Sequence, residues 1–389
     1  MLLVDATHTS HTRARTGIQR VTRSLFAALR DREPAAAVCC DPYLQAWREL
    51  NPAESRCLEP GLPVGQSRGA KWPWHRRIVG RARRALGAVP APPRGEALVC
   101  PELFSATTGA HLPGLLAAVS GPRVAIFHDA IALKLPELSP PGVVARLPAY
   151  LRELLAFDGV AAVSRDSAES LRAYWSWLGV DRTPEVTVVA HGLDPLPPAA
   201  PSSGAPGRPR ILCVGTIEGR KNHLALLEAC EALWAEGQAF ELQLCGLARP
   251  DTAGRALARL DELLRAGRPV SYGGVADDAA LQAAYRACAF TVYPSLMEGF
   301  GLPVLESLQH GKPCVCSGRG ALGEAAAGGG CLTLENLDAA SLAAAVRRLL
   351  TAPAELDALA AACRARRLRT WADAARDILA WMRDLPRRA

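Results

Sequence analysis

The chain has 389 residues, 49 % of them hydrophobic and 21 % charged, enough apolar mass for two or three packed domains and too much for a disordered chain. Aromatic residues make up only 5 %, which argues against a base-stacking nucleic-acid platform. The formal charge of +7 is local: eight Lys/Arg and no acid lie between Pro60 and Gly95, so one surface is basic and nucleic acid is not an expected partner.

Met1-Leu-Leu-Val-Asp5 reads as a strand and not as a secretory leader, because Asp5 ends the apolar run too early. Short apolar runs then alternate with helical segments, and strands are expected at 2–5, 36–40, 97–100, 124–128, 160–164 and 186–190. Asp194 to Pro209 is too rich in Pro and Gly for a helix or interior strand and reads as a linker. The pattern restarts at 211–215, 241–245, 270–272, 290–293 and 313–316. Alternating βα units with near-continuous apolar strands predict an α/β fold of two doubly wound, Rossmann-like parallel sheets. The expected domains are 1–195, carrying a basic insertion at 60–95, then a linker at 196–209, a second domain at 210–365 and a closing helix at 366–389. The stretch 354–385 reads as helical, with Trp371, Ile378, Leu379, Trp381 and Met382 forming a stripe for packing between domains. The twelve cysteines show no C-x-x-C pair and sit mostly in apolar runs, as small buried hydrophobes of a reduced, cytoplasmic chain do. No run of about 18 apolar residues predicts a membrane span.

Gly318-Arg-Gly320-Ala-Leu-Gly323 matches a dinucleotide fingerprint, but only Glu324–Ala327 separates it from the next glycines at 328–330. That is too short for the helix such a site requires, so the glycines read as turn residues.

The informative stretch is Pro294 to Pro313, where a loop with Glu298 leads into a helix starting near Leu302. Pro303 suits the first helical turn, and Gly311 then Pro313 close the helix. Gly299 and Gly301 permit close approach of a ligand to the main chain around Phe300. The helix start offers N–H groups and partial positive charge to an anion. Glu298 and Glu306, eight positions apart, reach different ends of one ligand. The second piece is Gly215-Thr216-Ile-Glu-Gly-Arg220-Lys221-Asn222, which follows a strand and opens a helix. A Gly-containing turn with two adjacent cations at the carboxyl end of a parallel strand suits a diphosphate.

Together these stretches resemble the retaining nucleotide-sugar glycosyltransferases of family four, which have the GT-B architecture of two Rossmann-like domains facing a cleft. The E-x7-E element matches at Glu298 and Glu306, and the Gly-Thr…Arg-Lys-Asn element at Gly215, Thr216 and Arg220–Asn222. The likeness covers the second domain and the helix with Trp371, which in that family crosses back onto the first domain. The first domain matches more weakly. Thr16-Gly17-Ile18-Gln19-Arg20 resembles the family's cleft-facing glycine turn, with a plain helix start equally open. His128-Asp129 resembles the histidine that touches the transferred sugar, and Ser164-Arg165 ends the next strand in like manner, with a helix N-cap as its other reading.

The resemblance implies transfer of a hexose from a nucleoside diphosphate to an acceptor hydroxyl with retained configuration. Glu306 is assigned to the ribose hydroxyls, Glu298 to hydroxyls of the donor sugar, and His128 to orienting that sugar. No D-x-D metal site occurs, since Asp277-Asp278 lacks the spacing, so no metal or other cofactor is expected. Charge on the departing diphosphate then falls to Arg220, Lys221 and the helix start. The expected partners are a nucleotide-sugar donor, with GDP-mannose favoured, and a glycan or lipid-linked acceptor. The stretch 66–94, with Trp72 and Trp74 among its cations, is expected either to dock on an anionic membrane surface at the inner face of the cytoplasmic membrane or to be a solvated loop. Other readings are a non-catalytic nucleotide-sugar or glycan-binding protein and a nucleotide-sugar epimerase of the same architecture.

Overall fold

The computed structural model describes residues 1–14, 17–59, 69–196 and 207–386; Thr16, Arg68 and most of the 196–209 linker lie outside the described residues. Two parallel sheets organise the chain, as the apolar runs require. The first contains β1 (Leu2–Asp5), β2 (Ala35–Asp41), β3 (Ala46–Glu49), β4 (Ala97–Cys100), β5 (Arg123–Phe127), β6 (Gly159–Ala162) and β7 (Glu185–Val188), in the order β3-β2-β1-β4-β5-β6-β7. The second contains β8 (Arg210–Val214), β9 (Glu241–Cys245), β10 (Val270–Tyr272), β11 (Phe290–Tyr293), β12 (Cys314–Ser317) and β13 (Cys331–Leu334), in the order β10-β9-β8-β11-β12-β13. Each sheet is doubly wound, with its switch point between its first strand and the strand that starts the return: β1 and β4 in one, β8 and β11 in the other.

Two strands were not expected. β3 runs antiparallel to β2 at the sheet edge, and its Arg48 and Glu49 break the apolar pattern that marks the interior strands. β13 is the opposite edge of the second sheet and is only half-buried. The 354–385 stretch is two helices, Pro353–Ala365 and Trp371–Asp384, not one. Thr370 opens the second of these with a reciprocal capping box to Asp373. Gly320–Ala326 is a short helix and not a turn: a Cβ on Gly323 would stand 2.2 Å from the Gly318 carbonyl oxygen, so close backbone packing accounts for that glycine.

The chain divides into two compact units: Met1–Asp129 with Ala145–Asp194 and Arg369–Ala389, and Ala130–Val144 with Pro195–Leu368. In the first, the Trp371–Asp384 helix lies against the Ile18–Arg30 helix and buries Trp371, Ala374, Ala375, Ile378, Leu379 and Met382. Trp381 covers Gly159, and its indole N–H donates to Glu185 at 2.7 Å. The segment before that helix pairs with Leu193, and Gly192 passes so close that a Cβ would meet the Thr370 carbonyl carbon at 2.1 Å. The main core of the second unit is built by Ile211, Leu226, Leu233, Phe240, Leu242, Phe290, Val292, Val315, Leu342 and Val346 on one face of its sheet, and a smaller cluster of Leu212, Cys245, Ala284, Tyr285 and Cys288 packs separately. Each of these main-core side chains contributes roughly 1.5–3 kcal/mol of burial. No helix among the described residues is long and apolar enough to cross a membrane.

Candidate active site

In the second unit the loops that leave β8 and β11 meet at the carboxyl end of the sheet. Gly215 (φ +150°) turns the chain after β8, and the backbone beyond it pairs with the segment after β9, with Ile217 N–H donating to Leu247 and Arg249 N–H to Ile217. Gly219–Lys221 forms a single 3-10 turn, closed by Asn222 in the left-handed conformation (φ +55°). Asn tolerates that conformation better than most residues. Its amide donates to the Leu337 carbonyl at 2.7 Å, so Asn222 holds the turn. The Leu296 N–H donates to the Arg220 carbonyl at 2.8 Å and ties the two loops together.

This turn drives Lys221 inward. Its ammonium donates to Glu298 and to the Tyr293 hydroxyl, and all three side chains are buried. Arg220 pairs with Glu298 at 2.8 Å, with Glu218 at 2.8 Å, and donates to the Met297 carbonyl at 3.0 Å. Tyr293 donates to Glu298 at 3.0 Å, and Ser295 donates to it as well. All these donors converge on Oε1; Oε2 of Glu298 accepts no hydrogen bond among the described residues. Lys221 likewise keeps one of its three N–H bonds uncommitted among them.

The charges shape one another. Burial raises the Glu298 carboxyl, but Arg220 and then Lys221 outweigh it and hold it at about 2. Burial, assisted by the Arg220 charge, lowers Lys221, against the pull of Glu298. Burial and the Glu298 charge push Tyr293 well up, so it stays a phenol and a donor. A carboxylate depressed by folding stabilises the protein above its ordinary value of 4.5, and that stability is lost as pH falls toward about 2. Thermal melts from pH 5 to pH 2.5 are therefore expected to lose about 2.4 kcal/mol through Glu298 alone. In Glu298→Gln that part of the slope is absent; an unchanged slope overturns the assignment.

The Leu302–Gln309 helix begins at Gly301 in the left-handed conformation (φ +92°), where a side chain would also press on Leu322 at 3.0 Å. Its first turn carries the N–H groups and positive partial charge that suit an anion. Glu306, in the second turn, is buried and accepts from the Tyr285 hydroxyl at 3.1 Å. Gly299, Phe300 and Leu302 are half-buried between Glu298 and this helix, and Thr216 is buried beside Gly215. The two motifs are thus brought together as one constellation.

In the first unit, His128 follows β5 and is buried; its Nε2 donates to the Pro101 carbonyl at 2.7 Å. Burial lowers its pKa, so the ring is neutral and its lone pair lies on Nδ1. Asp129, half-buried, is the last residue before the chain leaves this unit. Ser164 is the N-cap of the Arg165–Trp177 helix, accepting from the Ser167 N–H, while Arg165 is exposed. Gly17 (φ +50°) starts the Ile18–Arg30 helix with open space around it. Arg20 is held by Asp194 at 2.9 Å, and Ser24 donates to the other oxygen of that carboxylate.

Sequence reasoning missed Glu218, Tyr293 and Ser295, which complete the Glu298 pocket. It also missed Gly246 (φ +151°), where a Cβ would stand 1.9 Å from the Gly215 carbonyl oxygen. A glycine directly after the β9 strand was the available signal.

The two doubly wound α/β units have the GT-B architecture, and one of them carries paired cations and two carboxylates at its switch point. Residues 208–352 match the family model described as Glycosyl transferases group 1, which bears out the resemblance to family four. The serotype-specific mannosyltransferase WbdA of Escherichia coli is 27 % identical over 351 residues, 81 % of this chain and 38 % of that protein. The O-antigen chain mannosyltransferase B of Escherichia coli is 38 % identical over 110 residues, 27 % of this chain and 28 % of that protein. The chain therefore spans well under half the length of these mannosyltransferases. Among solved structures, a sucrose-phosphate synthase from Thermosynechococcus elongatus superposes with a TM-score of 0.68 at 19 % identity, over 99 % of this chain and 98 % of that one, and shows the same fold.

Proposed function

We propose that the chain transfers a hexose, with retained configuration and without a metal ion, from a nucleoside diphosphate to a hydroxyl of a glycan or lipid-linked acceptor. Mannose from GDP-mannose is the donor that the sequence likeness to mannosyltransferases favours. The observation that carries the reading is the cluster of half-buried Arg220 with buried Lys221 and Glu298 beside the start of the Leu302–Gln309 helix.

In this reading the bond from the sugar carbon to the diphosphate oxygen breaks, and the acceptor oxygen bonds to the same face. The acceptor proton passes to the departing diphosphate. Negative charge grows on that diphosphate, and the uncommitted Lys221 N–H, the Arg220 guanidinium and the helix start stabilise it in place. Oε2 of Glu298 accepts a hydroxyl of the donor sugar while Oε1 is held by the protein. Glu306 accepts from the ribose hydroxyls.

The test presents the full chain with GDP-mannose, UDP-glucose and other nucleotide-sugars, with and without a chelator, and follows nucleotide release and the configuration of the product. Retained configuration and undiminished turnover in chelator are expected. Strict dependence on a divalent ion overturns the metal-free mechanism, and binding of donor without turnover favours a non-catalytic protein.

A further inference from the structure

The basic stretch of the first unit contains a helix whose polarity is inverted. Trp74–Ala85 touches the body of its unit through Gly80, the one buried residue in the helix, where an added Cβ would meet Tyr43 at 2.9 Å. At 3.6 residues per turn, Trp74, Ile78, Val79, Ala82, Ala85 and the adjoining Leu86 fall within an arc of about 140°, centred nearly opposite Gly80, with His75 the one polar residue inside it. The apolar arc therefore points away from the protein: Trp74 is 72 % exposed, Ile78 56 %, Val79 50 % and Leu86 82 %. Arg76 and Arg83 border this arc on one side and Arg77 and Arg81 on the other.

That orientation is fixed. Trp72, just before the helix, stacks on His11 with ring centroids 3.5 Å apart, and the Arg48 guanidinium lies 5.8 Å from the Trp72 ring centroid. Arg77 and Arg81 sit over the Tyr43 ring at 5.7 and 5.4 Å. Arg76, Arg83 and Arg84 have no carboxylate partner among the described residues. A helix stabilised by its own unit would bury its apolar arc and expose Gly80; this one does the reverse.

We infer that this helix is a membrane-docking device that lies in the plane of an anionic lipid surface, its outward arc in the acyl boundary and Arg76 and Arg83 among the headgroups. Amphipathic helices with cationic flanks bind in that way, and Trp favours that depth. The outward Trp74, Ile78 and Leu86 distinguish this occupant from a nucleic acid, whose phosphates offer nothing to an apolar arc. The inference rests on the first unit alone and is independent of the sugar-transfer reading.

The experiment is flotation of the full chain with vesicles of phosphatidylcholine, with and without phosphatidylglycerol. Trp fluorescence is followed in parallel with lipids brominated on the acyl chain. Binding to the phosphatidylglycerol vesicles, weakened by salt, and quenching that is lost in Trp74→Phe are expected. Arg76→Gln with Arg83→Gln should lower the partition roughly thirtyfold, from two cations of the usual strength at such a surface. Ile78→Glu with Val79→Glu should abolish it while leaving the melting temperature unchanged, since those side chains are exposed. Equal binding to neutral vesicles, no binding at all, or concentration-dependent self-association that these substitutions remove without any vesicle binding overturns the inference.

Discussion

Lys221→Ala lowers kcat/KM for sugar transfer by about two to three orders of magnitude, and Arg220→Ala does the same. The expectation follows from removing one preorganised donor from a charge that develops only in the transition state, worth about 2.7–4 kcal/mol. The loss should appear mainly in kcat, because the interaction strengthens as the diphosphate departs. A structural explanation is separable. Lys221→Ala leaves the buried Glu298 with one cation fewer, and breaking such a pair costs about 3–5 kcal/mol of stability. Lys221→Ala with Glu298→Gln removes that imbalance and recovers melting temperature, whereas Lys221→Ala alone, assayed well below its own melting temperature where it is folded, still shows the loss in kcat. Activity that returns with stability, or that persists in both single variants, overturns the catalytic assignment of the cations.

Gly246→Ala is the second large effect, although residue 246 needs no contact with substrate. The added carbon would stand 1.9 Å from the Gly215 carbonyl oxygen and 2.5 Å from its carbon, both backbone atoms that cannot swing aside. The φ of +151° adds strain of about 1–3 kcal/mol. The Gly215–Thr216 segment must shift by an ångström or more, and with it the turn that aims Arg220 and Lys221. Misplacement on that scale costs about a hundredfold in rate. Gly237→Ala is the control: it also has positive φ (+86°) but nothing within 4 Å, so it bears the conformational cost alone and leaves turnover intact. Equal kcat in the two variants would show that the loops after β8 and β9 do not set the site.

Interior strands were readable because both faces of a parallel sheet are covered, which leaves unbroken apolar runs such as Ile211-Leu-Cys-Val. The edge strand Ala46–Glu49 was not, since half of it faces solvent. The helix at 74–85 escaped for the opposite reason: its apolar residues have helical spacing but no inward partner, so the cations dominate the reading. At the site, the spacing of Glu298 and Glu306 and the adjacency of Arg220 and Lys221 carried the assignment. Glu218, Tyr293 and Ser295 look ordinary within their own segments. Only the pairing of β8 beside β11 draws them onto one carboxylate, and no local pattern announces a register between strands so far apart in sequence.

The Trp371–Asp384 helix covers part of a unit whose first strand begins at residue 2. Translation supplies that cover only after the whole second unit has been made. Until then the Ile18–Arg30 helix lacks part of its packing. The nascent amino-terminal half thus leaves the ribosome with sticky surface uncovered, and its yield in the cell should follow chaperone supply and elongation speed more closely than the melting temperature of the finished molecule.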